Sequence, residues 1–419
     1  MKISLGKSFV LVSLWLFGCT PDKQKMSLEP ELSFNESAIQ VTSENEFAAA
    51  TKKAVPGDEI VIKDGIYKDW SLDISLLGTN ELPIKIKPES PYGVVFSASK
   101  ILSKPILNIS GSNLILEGFA FNDIVFEGFL FKLNGSNNVR ISNCRFEKIQ
   151  GYQSEKKMLR IEGNADGNRV DHCQFIENDN VQTITIRVEE NSFPINTWID
   201  HNEFRNLNMN KGGEGSETIQ VSQTARNYSY EQFSLKTIVE DNHFENIRGD
   251  AETISNKSNQ NIYRRNTFIN CNQLVLRGGH DCLVEDNVLI NSNGHGIRVY
   301  GSGHTIRNNT IRNPSENGIA LCYGLGSGKE ANTLRITATN NVIKGNTIET
   351  SGRHGIFLGE GKDTDYSDHK HRESWNTGFI QDIPPSGNYI AFNKIINTEL
   401  IPIESSGAIE NKIMDNEIE

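Results

Sequence analysis

Four side chains define the chemistry open to this chain: Lys257, Arg277, Arg298 and Tyr300. They lie in the short segments T-I-S-N-K (253–257), Q-L-V-L-R (273–277) and G-I-R-V-Y (296–300), in which apolar and polar residues alternate. Successive side chains of an extended strand point to opposite faces. With Ile219, Leu274 and Ile297 facing inward, one outward column reads Ser222, Lys257, Arg277, Tyr300, Cys322 and its neighbour reads Gln220, Ser255, Val275, Arg298, Ala320. Stacked cations disfavour each other's charge, so the cluster is a poor stability device. It suits removal of a proton beside a carboxylate. On a uronate sugar Lys257 would take the C5 proton, positive charge would neutralise the carboxylate, and a donor would meet the departing O4. Gln220 and, further upstream, Arg187 are additional candidates for holding such a substrate.

Acidic residues precede the lysine. Asp250 and Glu252 are two apart on an extended segment, where side chains share a face and can grip one hard cation such as Ca²⁺. A second acidic spot runs from Glu214 to Glu217. Strict alternation puts Glu252 and Lys257 on opposite faces, so a bend or bulge between them is required if both serve one site.

The elements that must position these groups are written as a repeat. The phrase apolar-polar-polar-Asn-polar-apolar places Asn202, Asn242, Asn266, Asn287, Asn309, Asn346, Asn393 and Asn416 in one slot, with Cys144 and Cys173 in the two upstream copies. Neighbouring slots are as close as 21–24 residues, the length of one solenoid coil. No such coil buries its apolar face alone; stacking at about 4.8 Å buries a continuous core and pairs the backbone edges. The expected fold is therefore all-β, a right-handed single-stranded parallel β-helix, with the asparagines as an internal ladder at a tight corner. A capping box at Ser43-Glu44-Asn45-Glu46, then FAAATKKA and Pro56-Gly57, predicts one helix over the N-terminal end of the stack.

Bulk properties narrow the partners. A net charge of −11 gives no basic excess for nucleic acid, and an acidic substrate needs a local basic cleft or a bound cation. Residues 1–18 read as a lipoprotein signal peptide: Lys2 and Lys7 precede an apolar stretch that ends Leu16-Phe17-Gly18-Cys19. That ending resembles a bacterial lipobox, which implies lipidation of Cys19, a polar tether over 19–40, and a catalytic β-helix over 41–419. The expected location is the periplasm or cell surface, anchored to the outer membrane through Cys19. The other cysteines (Cys144, Cys173, Cys271, Cys282, Cys322) lack disulfide-framework spacing and read as small core residues.

The run Gly249-Asp250-Ala251-Glu252-Thr253-Ile254-Ser255-Asn256-Lys257-Ser258, followed by NIYRRNTF and LRGG, resembles polysaccharide lyase family six, the family of chondroitinase B and several alginate lyases. VPGDEIVIKDGIY, LPIKIKPES and LILEGFAFND extend the likeness, which covers roughly residues 40–320. The resemblance implies Ca²⁺-assisted β-elimination with Lys257 as base, Arg277 assisting the leaving group, and Asp250 and Glu252 on metal-ligand positions. Asp250 stands where the family usually has Glu. The third ligand aligns best with Glu214, with Asn210 as rival. Gly278 replaces a family histidine, whose role would be lost or taken by His280. The SNKS and SETIQVS segments are more similar to the alginate-cleaving members, so alginate is the favoured polymer and dermatan sulfate the runner-up.

Two other classes compete. A glycan-binding β-helix without catalysis has no need of stacked Lys257 and Arg277. A hydrolase needs a pair of outward carboxylates, which the columns above do not offer, and an epimerase would resemble a DPHE signature that the chain lacks. The long polar insertion at about 360–385 holds His369, His371, Tyr366 and Trp375. It is expected to shape product length, by stacking on sugars, more than to bind metal.

Overall fold

The computed structural model describes residues 38–207, 215–222, 234–326, 335–368 and 379–419, leaving out Glu190 and the side chains of 153–155. The leader, Cys19, Glu214, Asn210, His369, His371 and Trp375 lie outside the described residues.

Alternating apolar residues build the chain into a parallel β-helix. One sheet of 14 strands runs from Ile39–Val41 through Ile262–Arg264 to Lys412–Met414, each strand paired in parallel with the next coil. The remaining strands stack coil on coil in the same way, apart from the antiparallel pair of Gly324–Leu325 with Gln381–Ile383. Inside, aromatic residues repeat in register: Phe96, Phe121, Phe146, Phe175, Phe204, Phe244 and Phe268 form one stack, with successive ring centroids 5.2 to 4.6 Å apart. All seven are buried. Each ring covers the face of the next, which no single coil could do for itself.

The asparagine slot is the predicted ladder. The Asn242 amide N–H donates to Asn266 Oδ1 at 3.1 Å, Asn266 to Asn287 at 3.0 Å, and Asn287 to Asn309 at 3.0 Å, while each Nδ2 reaches the carbonyl of an earlier coil. The residue just before the slot turns the corner with positive φ, as at His201, Asp241, Arg265 and Asp286. Five residues upstream runs a second ladder that the sequence reading missed. It passes through Asn261, Cys282, His304, Asn341, Asn388 and Asn411, and its mixed composition hides the repeat.

The helix spans Glu44–Thr51, capped by Ser43, whose hydroxyl accepts from Glu46 N at 3.3 Å. It buries Phe47 and Ala50 against the first coils. Cys144, Cys173, Cys271, Cys282 and Cys322 are all buried and unbridged.

Candidate functional site

The site grows from strand Glu252–Lys257 and its neighbours in the stack. Gln220 pairs with Ser255, Ser255 with Val275, Val275 with Arg298, and Arg298 with Ala320, so that outward column stands as predicted. The other column is corrected. Lys257 pairs with Gly278, and Arg277 is an extra residue bulged out of the strand Gln273–Gly278. A second irregularity falls where Glu252 pairs with Gln273 but Ile254 with Leu274, leaving Thr253 unmatched. This is the break in alternation that the acidic pair requires. With Thr253 taken out of the pleat, Glu252 turns to the face that carries Ser255 and Lys257.

Once there, Glu252 is held by two guanidinium groups. Arg277 Nη1 donates to its Oε1 at 2.7 Å and Arg298 Nη2 to the same oxygen at 2.8 Å. Burial pushes the Glu252 carboxyl up, yet the charges of Arg277, Arg298 and Lys257 outweigh it and hold the group at about 2. Arg298 is part-buried, with Nε lacking an acceptor among the described residues.

Lys257 is less committed. Its side chain is only 8% exposed, and its nearest carboxylate oxygen is Glu217 Oε1 at 3.7 Å, beyond hydrogen-bond distance. Among the described residues the amine donates no hydrogen bond. Glu217 is fixed from both sides, its oxygens accepting from Gln220 Nε2 at 2.8 Å and from Gln182 Nε2. Gln220 therefore orients Glu217, a role not visible in its column position alone. Tyr300 is buried rather than exposed on the outward face, and its hydroxyl accepts from Arg335 Nη1 at 2.9 Å. Burial pushes that hydroxyl up to about 12. Arg187 follows Ile186, whose register partner Val221 precedes Ser222, so it stands on the Lys257 side of the column, two coils before it.

Asp250 completes an acidic group. Its Oδ2 accepts from Gly215 N at 2.9 Å and its Oδ1 from Glu252 N at 3.3 Å. Burial, with the nearby Glu217 and Glu252 carboxylates, pushes it up to about 6. Asp250 is part-buried beside the buried Glu217 and Glu252, and the mutual repulsion of such carboxylates is of the kind that a divalent cation relieves. Among the described residues no three potential ligands converge closely enough to hold a metal, and the expected third arm, Glu214, is not among them. The donors fit a hard cation in kind.

Three groups escaped the sequence reading. Glu217 was seen only as part of an acidic spot; its place opposite Lys257 follows from a register that spacing does not reveal. Lys156, whose amine reaches Ser216 Oγ at 3.1 Å, is pushed down by burial and Lys157 while Asp179, Glu217 and Asp250 pull it up. Arg335 follows an insertion outside the repeat and carries no local signal. The two outward columns hold no carboxylate, as read from the sequence, but Glu217 and Glu252 stand beside them next to Lys257 and the arginines.

Comparison with known proteins agrees with this architecture. The chondroitinase B family profile matches residues 41–391. The chain belongs to the chondroitinase B family. Among solved structures, the family-six alginate lyase AlyGC is similar at 23% identity and TM-score 0.75, over 91% of this chain and 51% of that one. The chain thus spans about half the length of that protein. A family-six polysaccharide lyase from Pseudopedobacter saltans matches at 20% identity and TM-score 0.74, over 91% and 92% of the two chains. A mannuronic acid specific family-six lyase from human gut microbiota matches at 24% and 0.69, over 87% and 82%. No curated protein sequence matches.

Proposed function

We propose that this member of the chondroitinase B family is a polysaccharide lyase that cleaves alginate by β-elimination. The observation that carries the reading is Lys257: a nearly buried amine with no hydrogen bond among the described residues, set between a fixed carboxylate and two arginines. An amine so little exposed, with one carboxylate at 3.7 Å and no hydrogen bond among the described residues, is a poor stability device. Lys257 Nζ takes the C5 proton of a uronate, and the electron pair left on C5 forms the C4–C5 double bond as the C4–O4 bond breaks. O4 stays with the preceding sugar, takes a proton from water and becomes its new reducing-end hydroxyl, while the protonated Lys257 returns its proton to solvent. Arg277 stabilises the charge developing on O4, and Arg298, with Nε unspent, faces the substrate carboxylate.

Asp250, Glu252 and Glu214 would hold Ca²⁺, which when bound neutralises the uronate carboxylate and so acidifies the C5 proton. Hydrolysis is disfavoured by the state of the outward carboxylates: two guanidiniums hold Glu252 and two glutamine amides hold Glu217, so neither is free to serve as nucleophile. Alginate is preferred to dermatan sulfate on the SNKS and SETIQVS segments, and the solved family-six neighbours named as alginate lyases support the choice.

Ultraviolet absorbance during incubation with alginate, and separately with dermatan sulfate, tests the reading. A rise on alginate reports the new double bond, and its loss on chelation, restored by Ca²⁺, supports the metal. Folded protein that raises absorbance on neither polymer contradicts the lyase assignment.

A further inference from the structure

Beyond Tyr300 the chain makes two insertions, and they meet. Gly324–Leu325 pairs antiparallel with Gln381–Ile383, unlike the parallel strand pairs of the coils. The pair is tied down by side chains: Gln381 Nε2 donates to Tyr323 O at 2.6 Å, and the Tyr323 hydroxyl donates to Gly407 O. The Tyr366 hydroxyl donates to Gln381 Oε1 at 2.9 Å. These contacts fix the Tyr366 ring, and the Arg335 guanidinium lies against it at 4.4 Å from the centroid. Arg335 also lies 5.7 Å from the Tyr300 ring centroid and donates to the Tyr300 hydroxyl.

The guanidinium is therefore aimed by two aromatic rings and one hydrogen bond, and among the described residues it has no carboxylate partner. The three cations around Glu252 and Glu217 each have one nearby: Arg277 and Arg298 at Glu252, Lys257 at Glu217. A guanidinium offers five donors in a planar fork matched to carboxylates, and among the described residues only one is spent, on the Tyr300 hydroxyl. Tyr300 links the two regions, since its hydroxyl lies within the field of Arg335, Arg298 and Arg277 together.

We infer that Arg335 is a second anion subsite, taking the carboxylate of a uronate residue adjacent to the one cleaved. Tyr366 is its positioning residue. The inference rests on the reading of the substrate as a polyuronate. It makes Arg335, backed by the Tyr366 ring and joined to Tyr300, a recognition element that acts on affinity and on product length more than on the chemical step.

The test is binding, kept separate from turnover. A tri-uronate prepared from alginate is titrated calorimetrically into Lys257→Ala and into the double variant with Arg335→Ala, each checked for an unchanged melting temperature. Loss of a charge-assisted contact predicts affinity weakened about ten- to a hundredfold. The difference should vanish with a carboxyl-reduced trisaccharide. In the active background, Arg335→Ala raises KM by a similar factor with kcat altered much less, and shifts the oligosaccharide lengths. Tyr366→Phe, which keeps the ring, retains more affinity than Tyr366→Ala. Equal affinity of the two Lys257→Ala backgrounds for the charged trisaccharide overturns the inference. A wild-type chain that binds the trisaccharide but never raises absorbance refutes the lyase reading, and the Arg335 comparison still decides the subsite.

Discussion

Lys257 concentrates the argument at the scale of the residue. A glycan-binding protein and a lyase both want cations on this face, but only the lyase needs an amine left without hydrogen bonds. Lys257→Ala is therefore expected to lower kcat by about 10²–10⁴-fold, the usual contribution of a positioned base, while oligouronate binding measured by calorimetry persists. Retained turnover would remove Lys257 from the mechanism. Its identity was legible in sequence because the alternation around Ile254 and Leu274 is regular and the family likeness is strongest there. The partnership of Glu252 with both arginines was not legible, because it depends on the unmatched Thr253 and the bulged Arg277. One residue slipped from the pleat reverses the face of everything beyond it, and a sequence records no mark of the slip.

At the scale of the element, the coils differ in how their corners are satisfied. The asparagine ladder could be read from the chain because one residue type fills the slot; the second ladder could not, since its members are Asn261, Cys282, His304 and Asn341. His304 is the titratable member. Its Nδ1 accepts from Cys282 N at 3.0 Å and its Nε2 donates to Tyr300 O at 3.0 Å, an arrangement that suits the neutral ring. Burial, the dominant cause, pushes it down to about 3, from an ordinary value near ~6.5. Between those values the unfolded chain binds a proton that the folded chain refuses. His304 therefore contributes its full stability above about pH 6.5, and the contribution drains away by about 1.4 kcal/mol per unit as pH falls toward 3. His304→Asn, which copies the ladder residue at 341, should flatten the acid limb of the melting temperature between about pH 6.5 and 4. An unchanged slope would mean that other groups, such as the buried ion-paired Asp171, govern acid unfolding.

For the whole molecule, charge sets a conflict between approach and capture. The chain carries 53 acidic against 42 basic residues, yet the proposed substrate is a polyanion. Long-range repulsion must therefore be overcome by cations within a few ångströms of the bound sugar: Lys257, Arg277, Arg298 and Arg335. The two forces respond differently to salt, because the Debye length shrinks from about 30 Å at 0.01 M to about 10 Å at 0.1 M. That change screens the distant excess of carboxylates while leaving contacts inside the part-buried cleft nearly intact. Values of kcat/KM on alginate should accordingly rise over this range of ionic strength, at fixed Ca²⁺, and fall only at higher salt, where the close ion pairs weaken. A basic cleft on a basic protein would lose kcat/KM from the first addition of salt. If this chain does the same, the cleft alone dominates the field that the substrate meets, and the acidic surface plays no part in association.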